Sequence, residues 1–452
     1  MGFFDLAYAA GLGISAPYWL LKPSARRKVF GAIRERMGNG PGRQTSHLAV
    51  MIHAVSVGEL NATSALVRML AESRPDLRFV ISTTTKTGWE RSKELYGQDE
   101  KVSLIRYPLD FSWAVKRVLD AQRPSAVILM ELEVWPNFTS ACAAQEIPII
   151  LANGRLTAKS YRNYRLAAPI TSGMFSRLSL VCAQEQVYAD RFIHAGVPQD
   201  RVRVTGTMKF DTAQIATRIT AASEIATSVG LKPGSEKIIV CGSTGPEEEK
   251  IILDAYAELL RTNPGLRLVL VPRKPERFDE VAELITSRGY QVIRRSKARN
   301  SDASAGPAEG GTPVIILGDT MGELRAFYSL ADVVFVGRTL VDLGASQHGS
   351  DMIEPAALAK PVIVGPYTGN FTEVMNRFRE AGAIIEIRPD AQAPPSKALQ
   401  EAIAQLLASP TRRSELGQKA QEVVRANQGA TARNVEAILG FLPAAQRTNS
   451  LK

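Results

Sequence analysis

The chain has 452 residues, 45% hydrophobic and 22% charged, which excludes wholesale disorder and leaves room for two or three domains with sizeable cores. A net charge of +10 favours acidic partners: nucleic acid, anionic lipid or a phosphorylated substrate. The scattered Cys142, Cys182 and Cys241 argue against a disulfide framework, and neither they nor the scattered histidines have zinc spacing; buried thiols in a reducing compartment are expected.

The first apolar run, Phe3–Leu21, is interrupted by Asp5, glycines and Pro17. It is marginal as a membrane span and poor as a signal peptide, because its positive charges follow it: Lys22, Arg26, Arg27 and Lys28. A short anchor or interfacial helix over residues 1–28 is expected, with the chain beyond it on the cytoplasmic side. A buried N-terminal helix is the alternative.

Unbroken apolar runs then alternate with helical patterns. Strands are expected near Leu48–Ile52, Phe79–Thr83, Val102–Tyr107, Ala126–Met130, Pro148–Ala152, Ser179–Ala183 and Val202–Thr205. Helices between them include Ala62–Glu72, Trp113–Ala121 and Val187–Ala195. Such repeated units imply an α/β, doubly wound, Rossmann-like domain over 29–215. Small and polar residues around Asp211–Gly234 mark a boundary. A second series over 230–430 has strands near Lys237–Cys241, Leu266–Val271, Tyr290–Ile293, Pro313–Leu317, Val333–Val336, Pro361–Val364 and Ala383–Ile387. Ser296–Thr312 reads as a surface loop, and 431–452 as a polar C-terminal tail. Two such domains would face each other across a ligand cleft.

Candidate chemistry sits just past strand ends. In His53–Glu59, Ser56 and Gly58 permit a tight turn into a helix, and Glu59 falls in the first helical turn. Glu59 has a bland reading, as a carboxylate complementing the positive helix end. Glu131 and Glu133 follow Ala126–Met130; a turn there would leave one of them facing the site, and Glu131 is favoured. Trp135-Pro136 could be a plain packing corner. Arg155 could meet an anion, and Lys209 a phosphate or sugar carboxylate. In the second series Ser243 and Thr244 lie in a small-residue loop suited to an oxyanion, without the ending of a Walker A loop. Pro272-Arg273-Lys274-Pro275-Glu276-Arg277 clusters positive charge past a strand. Met321, Gly322 and Glu323 lie in a loop that can wrap a nucleotide, Glu354 could take ribose hydroxyls, and Asn370 and Phe371 complete the rim.

The blocks HAVSVGE, ELEVWPN, NGRLTAKSYRNY, GTMKFD, VPRKPERF, LGDTMGEL, EPAALAKPVIVGP and NF together resemble the Kdo (3-deoxy-D-manno-oct-2-ulosonic acid) transferases of lipopolysaccharide synthesis, in that family's order and over nearly the whole chain. The resemblance implies glycosyltransferase family 30 and the GT-B fold, two Rossmann-like domains facing across a cleft behind an N-terminal hydrophobic anchor helix. It implies transfer of Kdo from CMP-Kdo, with inversion and no cofactor or metal, to a hydroxyl of a lipid A precursor (lipid IVA) at the inner membrane. No nucleic-acid partner is implied. By similarity Glu59 is the general base, while Glu131 and Lys209 stabilise the transition state. Pro272, Arg273, Met321, Gly322, Glu323 and the segment Asp351, Met352, Ile353 and Glu354 would hold CMP. Ser56, Gly58, Arg155, Ser243 and Thr244 remain further site candidates from their positions.

The sequence departs from the family pattern mainly on the donor side. Lys274 stands for a usual histidine, Gly245 for another, and Thr207 for an asparagine. The stretch Gly344–Glu354 is longer than usual, leaving Asp351 as the nearest counterpart of a further asparagine. Two rival readings follow: another GT-B nucleotide-sugar enzyme, such as an epimerase, and a non-catalytic membrane-bound binding protein.

Overall fold

The computed structural model describes residues 2–21, 32–43, 47–216, 219–298, 312–344, 347–388 and 393–444. The basic cluster at 22–28, most of the loop 296–312 and positions 345–346 lie outside the described residues.

The chain divides into two compact units, Met1–Thr212 with Asn427–Lys452, and Ala213–Ala426. The first holds β1 (Ala49–His53), β2 (Arg78–Thr83), β3 (Val102–Arg106), β4 (Ala126–Met130), β5 (Ile149–Gly154), β6 (Leu180–Ala183) and β7 (Val202–Val204). They form a parallel sheet in the order β3-β2-β1-β4-β5-β6-β7. Along β1, Ala49 and Met51 enter one buried apolar cluster, and Val50 and Ile52 another. Both faces of the sheet are covered, so alternation of apolar and polar residues is lost and the strand reads as an unbroken apolar run. Each such side chain stabilises the fold by about 1.5–3 kcal/mol before entropy is counted.

The second unit holds β8 (Ile238–Thr244), β9 (Arg267–Pro272), β10 (Gln291–Arg294), β11 (Val314–Leu317), β12 (Val333–Val336), β13 (Val362–Val364) and β14 (Ile385–Glu386). Its parallel order is β10-β11-β9-β8-β12-β13-β14. In each sheet the order reverses beside the first strand, between β1 and β4 and between β8 and β12. Loops leaving the carboxyl ends at such a reversal part in opposite directions and leave room for a ligand.

Phe3–Leu21 forms a helix. Asp5, which interrupts its apolar run, is fully buried in the first unit. Its carboxylate accepts from Ser112 N–H at 2.7 Å, Ser112 Oγ at 2.6 Å and Asn137 Nδ2 at 3.0 Å. Tyr8 donates to Asp110 Oδ2 at 2.9 Å one turn later. The helix is therefore docked by a polar edge, while Phe3, Leu6, Ile14 and Leu21 stay exposed.

The C-terminus differs from the expected tail. Ala430–Leu439 is a helix, and Ile438 and Val435 join the core of the first unit beside Leu60 and Met208. Buried Asn434 donates to Thr205 Oγ1 at 3.0 Å, and Asp211 accepts from Gly429 and Thr431 N–H. These partners lie more than two hundred residues away in sequence, so helical periodicity alone could not place them. Substituting Ile438→Ala is expected to destabilise the first unit by about 2–5 kcal/mol, read as a lowered urea midpoint. An unchanged midpoint would show that this helix adds nothing to the core.

Candidate active site

Glu59 sits where β1 hands over to the helix Val57–Ser73. Ser56 caps that helix: its hydroxyl accepts from Glu59 N–H at 3.2 Å, and the Glu59 carboxylate accepts from Ser56 N–H at 3.2 Å and Val55 N–H at 2.9 Å. This reciprocal pair is a capping box, so the bland reading of Glu59 holds as far as it goes. The environment adds more. Burial raises the Glu59 pKa, the hydrogen bonds from Val55 and Ser56 oppose the rise, and the neighbouring Glu133 charge reinforces it; the net shift is upward. A carboxylate held in place yet more basic than usual suits proton abstraction.

The second carboxylate comes from the β4 side of the reversal. The backbone turns at Glu131, whose φ is +57°, and its carbonyl accepts from Arg155 N–H at 3.2 Å. The expected turn is present, but it does not single out Glu131. Glu133 is the residue whose charge acts on Glu59, and Glu131 in turn acts on Glu133. Glu133 also accepts from Trp135 Nε1 at 3.0 Å and is raised chiefly by burial. Trp135 is thus more than a packing corner. His53 Nε2 lies 3.9 Å from Glu133, yet burial holds this imidazole neutral, its pKa pushed down to about 3. It stacks on Tyr107 with ring centroids 3.7 Å apart.

Lys209 lies on the short helix Met208–Thr212, which packs against the helix carrying Glu59. Gly58 is not a steric necessity, because a Cβ there would meet nothing closer than Ser56 Oγ at 3.8 Å. Gly88 is one, and sequence reasoning missed it. A Cβ at Gly88 would approach Val55 O to 2.8 Å and Thr83 Oγ1 to 2.5 Å, while Thr85 Oγ1 donates to Val55 O at 2.7 Å. The turn before Glu59 is buttressed from β2.

In the second unit β8 runs on through Ser243 and Thr244, and the turn at Gly245 that follows is already filled from within the chain, which corrects the expectation of an open oxyanion loop at these residues. Glu248, fully buried, accepts from the N–H groups of Gly245 at 2.8 Å, Arg338 at 2.6 Å, Thr339 at 2.8 Å and Leu340 at 2.8 Å. Thr244 donates to Glu249 at 2.7 Å, and Arg277 binds that same carboxylate at 2.7 and 3.1 Å. Arg277 is therefore structural, and so is Glu323, which pairs with fully buried Arg295 at 3.0 Å from both Nε and Nη2. Met352 and Ile353 are fully buried, so their side chains are not ligand-facing. Asp351 accepts from Ile353 N–H at 2.8 Å.

What remains accessible is cationic. Arg273 is exposed past β9, where Pro272 ends the strand, and its N–H donates to Thr244 O at 3.0 Å. Its charge acts on Arg338, at φ +60° past β12, and helps burial to lower that guanidinium's pKa. Arg338 was missed, although Gly337-Arg338 follows an apolar strand as the other candidates do. Met321 is 68% exposed beside Gly322, whose φ is +83°. Glu354 feels Arg273 and Arg325, but burial and Asp351 push its pKa up to about 7. Two like-charged guanidiniums at a topological reversal favour an anion between them.

Known proteins agree in family and fold. A family profile described as 3-deoxy-D-manno-octulosonic-acid transferase (kdotransferase) matches residues 31–212. A 3-deoxy-D-manno-octulosonic acid transferase of Haemophilus influenzae is 35% identical over 395 residues, 87% of either chain. Its counterpart in Bordetella pertussis is 32% identical over 443 residues, 95% of this chain and 97% of that one. The solved UDP-GlcNAc 2-epimerase of Neisseria meningitidis aligns with a TM-score of 0.56 over 87% of this chain and 100% of that one, at 14% identity, a likeness of fold consistent with two GT-B-type sheets.

Below about pH 7 Glu354 loses its negative charge beside Arg273, so CMP is expected to bind the wild type a few-fold more tightly there, a coupling of ~0.5–1 kcal/mol at a partly exposed site. Calorimetry of wild type and Glu354→Gln over roughly pH 5.5 to 8.5, which brackets that pKa, should find this extra step only in the wild type. Identical pH dependence in both would remove Glu354 from the anion's surroundings.

Proposed function

The chain belongs to the 3-deoxy-D-manno-octulosonic acid transferase family, and we propose that Glu59 is its general base in an inverting transfer of Kdo from CMP-Kdo to a hydroxyl of a lipid A precursor. The chain is a Kdo transferase, and the observation that carries the assignment of its base is the Glu59 carboxylate. It is fixed by two backbone N–H groups, raised in pKa by burial, and backed by Glu133. In the proposed step the acceptor hydroxyl gives its proton to Glu59 while its oxygen bonds to the anomeric carbon. The bond from that carbon to the CMP phosphate oxygen breaks, and the electron pair leaves with CMP. Arg273 and Arg338 are suited to hold the departing phosphate, and the half-buried Lys209 to offset the charge that gathers as the proton moves. Glu131 and Glu133 keep the base's surroundings negative, which favours its protonated product. The backbone around Gly322 and the Glu354 carboxylate are suited to the nucleoside.

A lipid acceptor calls for a membrane surface. Among the described residues no helix is long and apolar enough to cross a membrane. The N-terminal helix instead exposes Phe3, Leu6, Ile14 and Leu21 on its outer side, which supports a helix lying in the interface, on the cytoplasmic face of the inner membrane.

With CMP-Kdo generated in place and a tetraacylated lipid A precursor, product mass is expected to rise by whole Kdo units. Glu59→Gln should lower turnover by ~10²–10⁴-fold with CMP affinity kept. Because activity needs ionised Glu59, its acid limb should lie above the ordinary glutamate value of 4.5. Near-normal turnover in the variant would refute the base. Separately, Leu6→Gln with Ile14→Gln should move the protein from sedimenting anionic vesicles to the supernatant; undiminished sedimentation would place membrane contact elsewhere.

A further inference from the structure

A cavity of about 520 Å³ opens in the first unit between the N-terminal helix and the carboxyl ends of β1, β3 and β4. Its size falls in the roughly 300–1,000 Å³ range of ligand pockets. The lining is mainly apolar: Leu12 from the helix, Leu109 and Phe111 from the loop after β3, and Val55 from the turn before Glu59. Glu133 and Trp135 close its inner end. From this geometry we infer that the cavity seats one acyl chain of the acceptor lipid, an assignment that rests on the lipid-acceptor reading above.

Three observations carry it. The cavity reaches the base: Val55, in its wall, donates to Glu59 at 2.9 Å, and Glu133, also in its wall, is the charge that acts on Glu59. A chain lying here would be attached to a head group at the reacting carboxylate. Its outer wall is the docked helix, and Leu12, which lines the cavity, is itself 39% exposed on a helix that also exposes Leu6 and Ile14. Leu12 thus gives the cavity an apolar edge that is itself open to the outside, which suits a chain drawn from a lipid layer. Finally, the buried hydroxyl of Tyr107, a residue that lines the cavity, lacks a hydrogen-bond partner among the described residues. A linear hydrocarbon with a carbonyl or hydroxyl near its root would bury against the apolar wall and offer that hydroxyl a partner, as a purely apolar ligand could not.

Gly11 gives a clean test. It lines the cavity, and a Cβ added there meets no atom within 4 Å, so Gly11→Phe fills the space without a backbone clash and also favours the helix. A fluorescent long-chain fatty acid should bind the full-length wild type saturably. Gly11→Phe should weaken it at least about tenfold, as excluding a few methylenes requires, while CMP binding stays unchanged. In the transfer assay the same variant should raise KM for the acylated acceptor and leave kcat, and transfer to the deacylated sugar phosphate, as in wild type. No saturable binding, binding unchanged in Gly11→Phe, or binding lost in Leu6→Gln/Ile14→Gln but kept in Gly11→Phe would each overturn the assignment. So would equal loss on both acceptors. A wild type that binds the probe but transfers no Kdo would refute the acceptor reading and leave the chain site standing.

Discussion

At the carboxyl end of β1 the backbone has a partner on each side, β2 and β4, and both neighbours run the same way. The next helix must leave over one face of the sheet while the helix after β4 leaves over the other, so their loops separate. The gap is bordered by the N-terminus of the helix Val57–Ser73, whose first N–H groups have no partner within the helix. Burying those donors without acceptors would cost about 1–3 kcal/mol each. Ser56 Oγ accepts from one of them, the N–H of Glu59, while the Glu59 carboxylate turns back to accept from Ser56 and Val55 N–H just before the helix, so the constraint that builds the cap also delivers a carboxylate to the site. The second sheet solves the same problem at β8 and β12 with Glu248, but there the acid is fully buried and binds N–H groups from both sides of the reversal. One reversal is sealed by its carboxylate and the other keeps its carboxylate beside a cavity.

This difference sets what could be read in the residues alone. Every expected strand is present, with ends shifted by at most two residues except for β8, which runs three further to Thr244, because a strand covered on both faces must be apolar throughout and short polar turns must bound it. Glu59 and Arg273 stood out as candidates because they follow those runs within a few residues. The fate of the Gly245 turn was not legible. Whether its N–H groups are open to an anion depends on Glu248 meeting Arg338, Thr339 and Leu340, some ninety residues on. Glu323 and Arg277 were misread for the same reason: their charges are spent on Arg295 and Glu249, partners that no local pattern announces. The helix Ala430–Leu439 is a third case: its place in the first unit is set by Asn434 and Asp211, whose partners no local pattern announces.

The dual use of Glu59 bears on how its chemistry can be isolated. A glutamine at the third helical position can still accept from a backbone N–H and complete a capping box, but it cannot take a proton at working pH. An alanine would remove cap and base together, and loss of turnover would then be ambiguous between a collapsed turn and a missing base. The backbone bonds from Val55 and Ser56 also pull the pKa down while burial and Glu133 pull it up. A base whose pKa results from opposing influences is sensitive to the water content of its gap.

The N-terminal helix also builds part of the first unit. Asp5 would be an expensive residue in a helix that only lay on lipid, since a carboxylate is among the least favourable groups to hold near hydrocarbon. Held against Ser112 and Asn137, it fixes the helix over the mouth of the space beside Glu133. The outer face stays apolar and the inner face completes a wall that the sheet alone does not supply. On the reading proposed above, a chain entering along Leu12 would set its head group beside Val55 and the Glu59 carboxylate, and the buried acid of the helix is what keeps that volume defined.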